Sequence, residues 1–496
     1  MVQKALRTAA LAKRTRDASS PSRTPAQRLV APVGIRLACG RSAPIPSLPA
    51  HTLRRMTPPA EAGPWTLPHR IAFRFLFVYF VFAFPSAILQ LVPVVGGLGY
   101  FLEMAFRPFY VWVGKVAFGL EITVFPNGSG DTTFNWIQTG TNLGIAMLVT
   151  GIWSVADRRR TSYPWLKDAL WTLMRFVLAS AMLGYGINKV FALQFPPPGM
   201  QRLLQQYGDS SPMGLMWTFM GASPSYVMFA GWMETIGGLL LLFRRTQLLG
   251  AMLVAGVMAN VFVLNMCYDV PVKLYSFHLM AMALVIAAPD AARMWNLFVM
   301  NRPVEPADLV GPWTNAIARR VAIGVKFAWI TVTVPLVVWQ MQQMSTLYGP
   351  NAPTGPLDGT WEVTRFVRDG VELPPRWDEP LRWRFLTLMD LPEWKVATIT
   401  HAKGPNERWT LAIAPGDTDR TGTLSFSEMT QAAGSGEQPP PPIATVTYRW
   451  DGADSLTVTG TVAGATIDAT CTRLRPTDYL LINRGFRWIN ETPYNR

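Results

Sequence analysis

Seven apolar runs, each close to the roughly 20 residues that a helix needs to cross a bilayer, constrain this chain more than any other feature. They fall at about Ile71–Pro93, Phe134–Val155, Leu170–Phe191, Ser225–Phe243, Gln247–Cys267, Val272–Ala288 and Val321–Met341. In hydrocarbon every backbone N–H and C=O must be satisfied within the segment, so such runs predict helices, and Pro85 in the first is tolerable where neighbouring groups meet the freed carbonyl. After Met344 long runs give way to short alternating ones. WEVTRFVRD, WRFLTLMD, KVATITH, RWTLAIA, GTLSFSE, ATVTYRW, SLTVTG and ATIDATC read as strands, separated by turn material such as APGDTDRTG and GSGEQPPPP. Eight short antiparallel strands predict a small barrel, which leaves no sheet edge exposed. The expected fold is a membrane α-helical bundle of about seven transmembrane helices followed by a small antiparallel β-barrel.

Composition agrees with a membrane class: half of the 496 residues are hydrophobic and 15% are charged. The net charge of +14 does not mark a nucleic-acid surface, because residues 1–55 carry two Lys and nine Arg against Asp17 and so supply +10 of it. No nucleic-acid partner is expected; the lipid bilayer is. This leader is acid-poor and rich in Arg, Pro and Ser, without the compact apolar core of a secretory signal. It reads as a start placed too early, with Met56 the true start, as a disordered basic tail, or as an organellar transit peptide. Cys39, Cys267 and Cys471 form no C-x-x-C pair, so neither dithiol chemistry nor a structural zinc site is expected, and no metal. Cys267 and Cys471 read as unpaired thiols, with a bridge between them the alternative.

Basic loops set the expected orientation. His69, Arg70 and Arg74, then ADRRRTSYPWLKD, then FRRTQ, then Arg293, Arg302, Arg319 and Arg320 all fall on one side when every span is counted. That side is expected to be cytoplasmic, with the barrel extracytoplasmic, in a multi-pass protein of a bacterial-type inner (plasma) membrane. Between the first two spans FLEMAFRPFYVWVGKVAFGLE mixes aromatics with Glu103, Arg107, Lys115 and Glu121 and reads as an interfacial helix.

The polar residues of the spans are the candidate site. Tyr185 and Lys189 lie four apart on one face of the third span; Glu234 is the single acid of the fourth, deep in its run. The fifth adds Asn260, Asn265 and Asp269, the last two on one face if the helix continues, with Pro271 breaking it afterwards; Lys273 opens the sixth and His278 follows. Lys189, Asp269, Lys273 and His278 are expected to gather at the outer end, with Glu234 deeper. Each has a bland explanation as well: a hydrogen-bonded core histidine, lysines reaching the headgroups, asparagines bonding between helices. Glu234 differs, because a lone acid near mid-membrane must be neutral or paired, and both states suit a proton relay or a polar-ligand site. A bis-histidine haem is excluded, since only His278 lies within the spans, and no phosphate-binding loop occurs.

Three features carry a family resemblance: Arg175 opening RFVLASAMLGYGINKVF, Gly186 and Lys189 near its end, and Glu234 followed by Gly237 and Gly238. Residues from about Arg175 to Asp290 resemble the DoxX-like family of small four-helix membrane proteins. Its members are bacterial and archaeal, and one relative is the small subunit of a thiosulfate:quinone oxidoreductase. Gly359-Thr360-Trp361 resembles the Gly-x-Trp that opens lipocalin-type barrels. The expected organisation is then leader (1–55), transmembrane pair with interfacial helix (56–165), DoxX-like bundle (166–300), linker and last span (301–345), and lipocalin-like barrel (355–496). The resemblance implies a hydrophobic ligand, a quinone being the leading choice, held at the outer leaflet for a redox partner protein, with no covalent cofactor. Lys189 or His278 would bond the ligand, and Glu234 and Asp269 would handle protons. The alternative is a non-catalytic envelope protein whose barrel binds a lipid or a partner protein. Whether the chain is an enzyme stays open at this point.

Overall fold

The computed structural model describes residues 63–92, 95–124, 127–307, 315–392, 394–418, 420–429 and 441–491. The basic leader and the choice between Met1 and Met56 lie outside the described residues. Helices α1 (Leu67–Ala83) and α2 (Pro85–Gln90) form the first apolar run, broken where Phe84 leaves helical geometry ahead of Pro85. They lead to α3 (Gly96–Phe118), α4 (Thr133–Ala156), α5 (Pro164–Val190) and α6 (Met200–Leu204). Then follow α7 (Pro212–Gly221), α8 (Pro224–Leu241), α9 (Gln247–Cys267), α10 (Lys273–Ala287), α11 (Ala291–Phe298) and α12 (Ala316–Leu347).

Among the described residues five helical stretches are long and apolar enough to cross a membrane, fewer than the seven expected: Thr133–Ala156, Pro164–Val190, Gln247–Cys267, Lys273–Phe298 and Ala316–Leu347. The two expected spans outside this group are helical too, but α1 stops after 17 residues. In turn α8 carries Glu234 and three glycines among its 18 residues. The segment expected to lie at the interface is the continuous 23-residue α3, anchored to α4 by a buried bond from the Tyr110 hydroxyl to Asn142 Oδ1 at 2.9 Å.

The bundle ends sort by chemistry. At one end Arg70 donates to the carbonyls of Arg158 and Arg160, while the buried Arg74 donates to Tyr163 Oη and to Asp157 O at 2.9 Å. Arg244 meets Asp168 there at 2.6 Å, and Arg175 donates to the carbonyls of Leu241 and Leu242 and to Gln247 Oε1. A guanidinium on the last carbonyls of α8 satisfies acceptors that no further helical turn can meet. Three of the four basic regions expected to share a side therefore meet at one end. At the other end the Gly130 N–H donates to Pro271 O at 2.7 Å.

Glycines set the central crossing. A Cβ on Gly186 of α5 would lie 2.6 Å from Gly231 O of α8, and one on Gly231 would lie 2.6 Å from Gly186 O. Only hydrogen fits on either side, so the two backbones touch, as small residues allow in membrane helix pairs.

Strands β1 (Gly359–Arg368), β2 (Val371–Glu372), β3 (Trp383–Asp390), β4 (Lys395–His401), β5 (Glu407–Pro415), β6 (Thr421–Ser427), β7 (Ala444–Gly452), β8 (Ser455–Val462) and β9 (Ala465–Leu474) form one antiparallel meander. It closes by β1 against β9, Thr360 opposite Leu474 through Arg368 opposite Ile467. Because β2 pairs only with β1, the closed barrel has eight strands. Its interior is filled by alternate side chains, with Trp361, Phe366, Leu386, Ile399, Leu424 and Leu456 wholly buried. The register of β1 shifts between Val363 and Arg365, and the carbonyls around that bulge are met by the buried Arg382, which donates to Val363 O at 2.8 Å and Thr364 O at 3.3 Å. Arg473 lies 4.8 Å over the Trp361 ring, whose Nε1–H donates to Leu357 O. Cys267 and Cys471 are both free thiols, the first exposed and the second buried in the barrel.

Candidate functional site

The glycine crossing decides where the charges of the bundle meet. The helices run antiparallel, Gly231 lying against Lys189 and Gly238 against Met182, so Lys189 and Glu234 lie on either side of the glycine contact and the long lysine side chain spans it to reach the carboxylate. Lys189 Nζ lies 2.8 Å and 2.7 Å from the two carboxylate oxygens of Glu234, with the side chains only 8% and 3% exposed. The ammonium also sits 5.5 Å over the Tyr185 ring, four residues earlier on the same face. A charged pair removed from water survives only when both partners are satisfied, as they are here.

This pair forms part of the wall of a cavity of about 510 Å³ between α5, α7, α8, α9 and α10. That is a size usual for small-molecule sites. Its lining is mostly apolar and rich in methionine: Met182, Met216, Met220, Met233, Met252 and Met258 all reach it. Thioether side chains adapt to ligands of irregular shape. The polar part of the wall includes Lys189 and Glu234 together with Tyr185, Gln194, Tyr226, Asn260, Asn265, Tyr275 and Ser276. Asn265 is buried and donates to Ser276 Oγ at 3.0 Å, joining α9 to α10.

The remaining candidates lie elsewhere. Asp269 is not on the face of Asn265, because α9 ends at Cys267 and Asp269 takes a left-handed φ of 51°. The Val270 N–H then returns to Asn265 O, the closing bond of a Schellman turn. The helix thus stops ahead of Pro271, sooner than expected, and the Asp269 side chain is 84% exposed, paired with Lys273 Nζ at 2.9 Å. Lys273 belongs to the same hairpin, and its backbone shows a partner that sequence reasoning missed. Asp131 accepts the Lys273 N–H at 2.7 Å and the Leu274 N–H at 2.9 Å, capping α10 from the loop ahead of α4. The GSGD stretch contains this residue, but nothing local in it points to a helix more than a hundred positions away.

His278 faces away from the large cavity. Its Nδ1 lies 2.6 Å from Leu274 O; a carbonyl only accepts, so Nδ1 carries hydrogen, and in the neutral ring Nε2 accepts from the Tyr79 hydroxyl at 2.6 Å. Tyr79, on α1, was not among the expected site residues. Of the six candidates, the structure brings Lys189, Glu234 and Asn265 together and places Asp269, Lys273 and His278 outside their cavity.

No family model matches the chain, and no solved structure matches it. The chain is similar to an uncharacterized protein, YwoB, of Bacillus subtilis (strain 168), with 29% identity over 133 residues that cover 25% of this chain and 79% of the relative.

Proposed function

We propose that this is a DoxX-like integral membrane protein whose bundle binds an elongated hydrophobic molecule with a polar, hydrogen-bond-accepting head, a quinone being the chemistry that fits best. The observation that carries this reading is the large methionine-lined cavity with a desolvated Lys–Glu pair in its wall. An apolar body would lie against the methionines and Phe229. A head carbonyl would take a hydrogen from Lys189 or from the Tyr185 or Tyr275 hydroxyl, while Glu234 keeps the ammonium in place. Asp269 and His278 have no part in holding this ligand. The protein supplies a binding site to a redox partner, and electrons enter or leave with the ligand.

In this reading all seven apolar helices cross the bilayer. The end that gathers Arg70, Arg74, Arg158, Arg160 and Arg244 is cytoplasmic by the positive-inside tendency. The barrel is then extracytoplasmic. Native mass spectrometry with lipid extraction on protein purified from membranes tests the reading. A quinone or other defined hydrophobic molecule is expected in the wild type and lost in Met233→Trp, which fills the cavity without touching the ion pair. Only bulk lipid, unchanged by that substitution, overturns it.

A second reading, an envelope protein whose barrel recruits a partner or a lipid surface, is favoured by one observation. Phe486, Trp488 and Ile489 after the barrel are exposed, Trp488 to 90%, beside Arg487. They do not pack back on the barrel. Loss of partner capture on Trp488→Ser, with the extracted lipids unchanged, would favour it.

A further inference from the structure

Another pocket of the bundle is smaller than the first and proportionally more polar. It holds about 120 Å³ between α1, α4 and α10, and one face of α4 supplies its polar wall: Asn135, Gln138, Thr139 and Asn142. Their spacing of three, four and seven positions puts all four on a single stripe, while Met147, Leu148 and Val155 on the outward side are exposed. A membrane helix that turns amides and a hydroxyl inward faces either partner groups or water. The far wall is the Tyr79–His278 pair. Asn142 is bonded to the Tyr110 hydroxyl and to Phe82 O, and Asn135 accepts from Thr132; at about 30 Å³ per molecule the space still admits several waters, which the Gln138 amide and the Thr139 hydroxyl can bond.

Tyr275 lines both this pocket and the large apolar cavity, so one aromatic residue borders the two. Gly130 and Leu274 line the end of the pocket next to Asp131, which bonds the Leu274 N–H, and Lys273, whose Nζ is 3.9 Å from Asp131. Below Asn142 the inward face of α4 continues with Ala146, which is fully buried and ends the polar stripe.

We propose that this pocket is a hydrated chamber that brings water and protons from the Asp131 end of the bundle to the imidazole of His278, with Tyr275 bordering both it and the apolar cavity. The proton exchange is simple. With Nδ1–H held by Leu274 O, a proton from chamber water adds to Nε2, leaving hydroxide that solvent neutralises. The Tyr79 hydroxyl then accepts from Nε2–H and turns its own hydrogen to the chamber. Loss of the proton to water restores the first arrangement. The titratable groups facing the imidazole are Tyr79 from α1 and Tyr275 from α10, with Asp131 and Lys273 at the end of the pocket. This inference does not depend on what the apolar cavity binds.

The test is thiol accessibility along α4, in full-length protein in nanodiscs carrying Cys39→Ser and Cys267→Ser. Cys471 stays, because burial pushes its thiol up to about 12 and leaves it unreactive. Gln138→Cys and Thr139→Cys are expected to react with a charged methanethiosulfonate at least about tenfold faster than Met147→Cys and Leu148→Cys, since a thiolate forms in water and not in hydrocarbon. Thr150→Cys, beyond Ala146, is expected to stay unlabelled. Equal rates on the two faces of α4 overturn the proposal. Should the inward substitutions misfold, hydroxyl-radical footprinting of the unmodified protein decides: oxidation of Tyr79 and His278 is expected, and protection equal to that of the buried Phe73 overturns it.

Discussion

The barrel and the bundle bury their interiors by opposite rules. Inside the barrel nearly every inward side chain is apolar, and the buried guanidinium of Arg382 is spent on backbone carbonyls at a bulge. Inside the bundle charged and amide groups meet one another: Lys189 with Glu234, Asn265 with Ser276, and Tyr79 with His278. The difference follows from the solvent. Water drives apolar groups into the barrel, whereas lipid gives no such preference between helices, so close glycine contact and polar pairing specify which helix faces which. A filled core and a core with cavities are the result.

The largest effects should come from breaking the barrel core. Trp361→Ala removes a ring that is fully buried, bonded to Leu357 O and covered by Arg473. A loss of about 3–5 kcal/mol is expected, read as an early loss of the β-sheet circular dichroism signal in the full chain while the helical signal persists. Simultaneous loss of both would show that the two regions unfold as one.

In the bundle the matching test is a pair. Lys189→Met alone strands a buried carboxylate and is expected to cost about 3 kcal/mol. Lys189→Met with Glu234→Gln removes both charges and should recover most of that, measured by detergent-induced unfolding. If the double variant is as unstable as the single, the ion pair is not an isolated couple and further groups depend on it. Asp131→Ala ranks third, at about 1 kcal/mol, the usual cost of losing a helix cap. Its signature is local: faster hydrogen exchange at the Lys273 and Leu274 amides, with the barrel amides unchanged.

The same contrast explains what could be read from the sequence. Alternation with period two needs only local information, and all eight expected strands occur where the residues place them, from Trp361 to Cys471. The seven apolar runs are helical where expected, but α7, which brings Met216 and Met220 to the large cavity, lies in what reads along the chain as a loop. Which helix faces meet was not legible, because it depends on rotation about each axis and on contacts between distant segments. Lys189 and Glu234 pair only because Gly186 and Gly231 let two backbones touch. Asn265 and Asp269 were assigned one face on the assumption that α9 continued, and a left-handed Asp269 ends it. Ser276 and His278 are two positions apart, which on a helix turns them to nearly opposite sides. One faces the apolar cavity and the other faces Tyr79, so a cluster that looked single along the chain is divided by its own helix.

The smallest expected effect sharpens the comparison from the barrel side, where charge is tolerated only at the rim. Asp358 precedes β1, and its Oδ1 accepts the Asp390 N–H at 3.0 Å. Burial, aided by the neighbouring Asp390 carboxylate, raises its carboxyl above the ordinary value of 3.8, outweighing that hydrogen bond and the attraction of Arg473. Between 3.8 and the raised value the native state therefore holds more protons than the unfolded chain, so stability falls as pH rises through that window and stays lowered above it. Asp358→Asn keeps an acceptor oxygen for the Asp390 N–H and removes the charge. It is expected to stabilise the barrel at neutral pH by less than about 1 kcal/mol, since the group is half exposed and solvent screens it. The substitution should also flatten the pH dependence of the barrel's melting on the acid side. A destabilised barrel at neutral pH would mean that the carboxylate is held by Arg473 more strongly than burial opposes it, so that the rim, like the bundle, is organised by a charge pair.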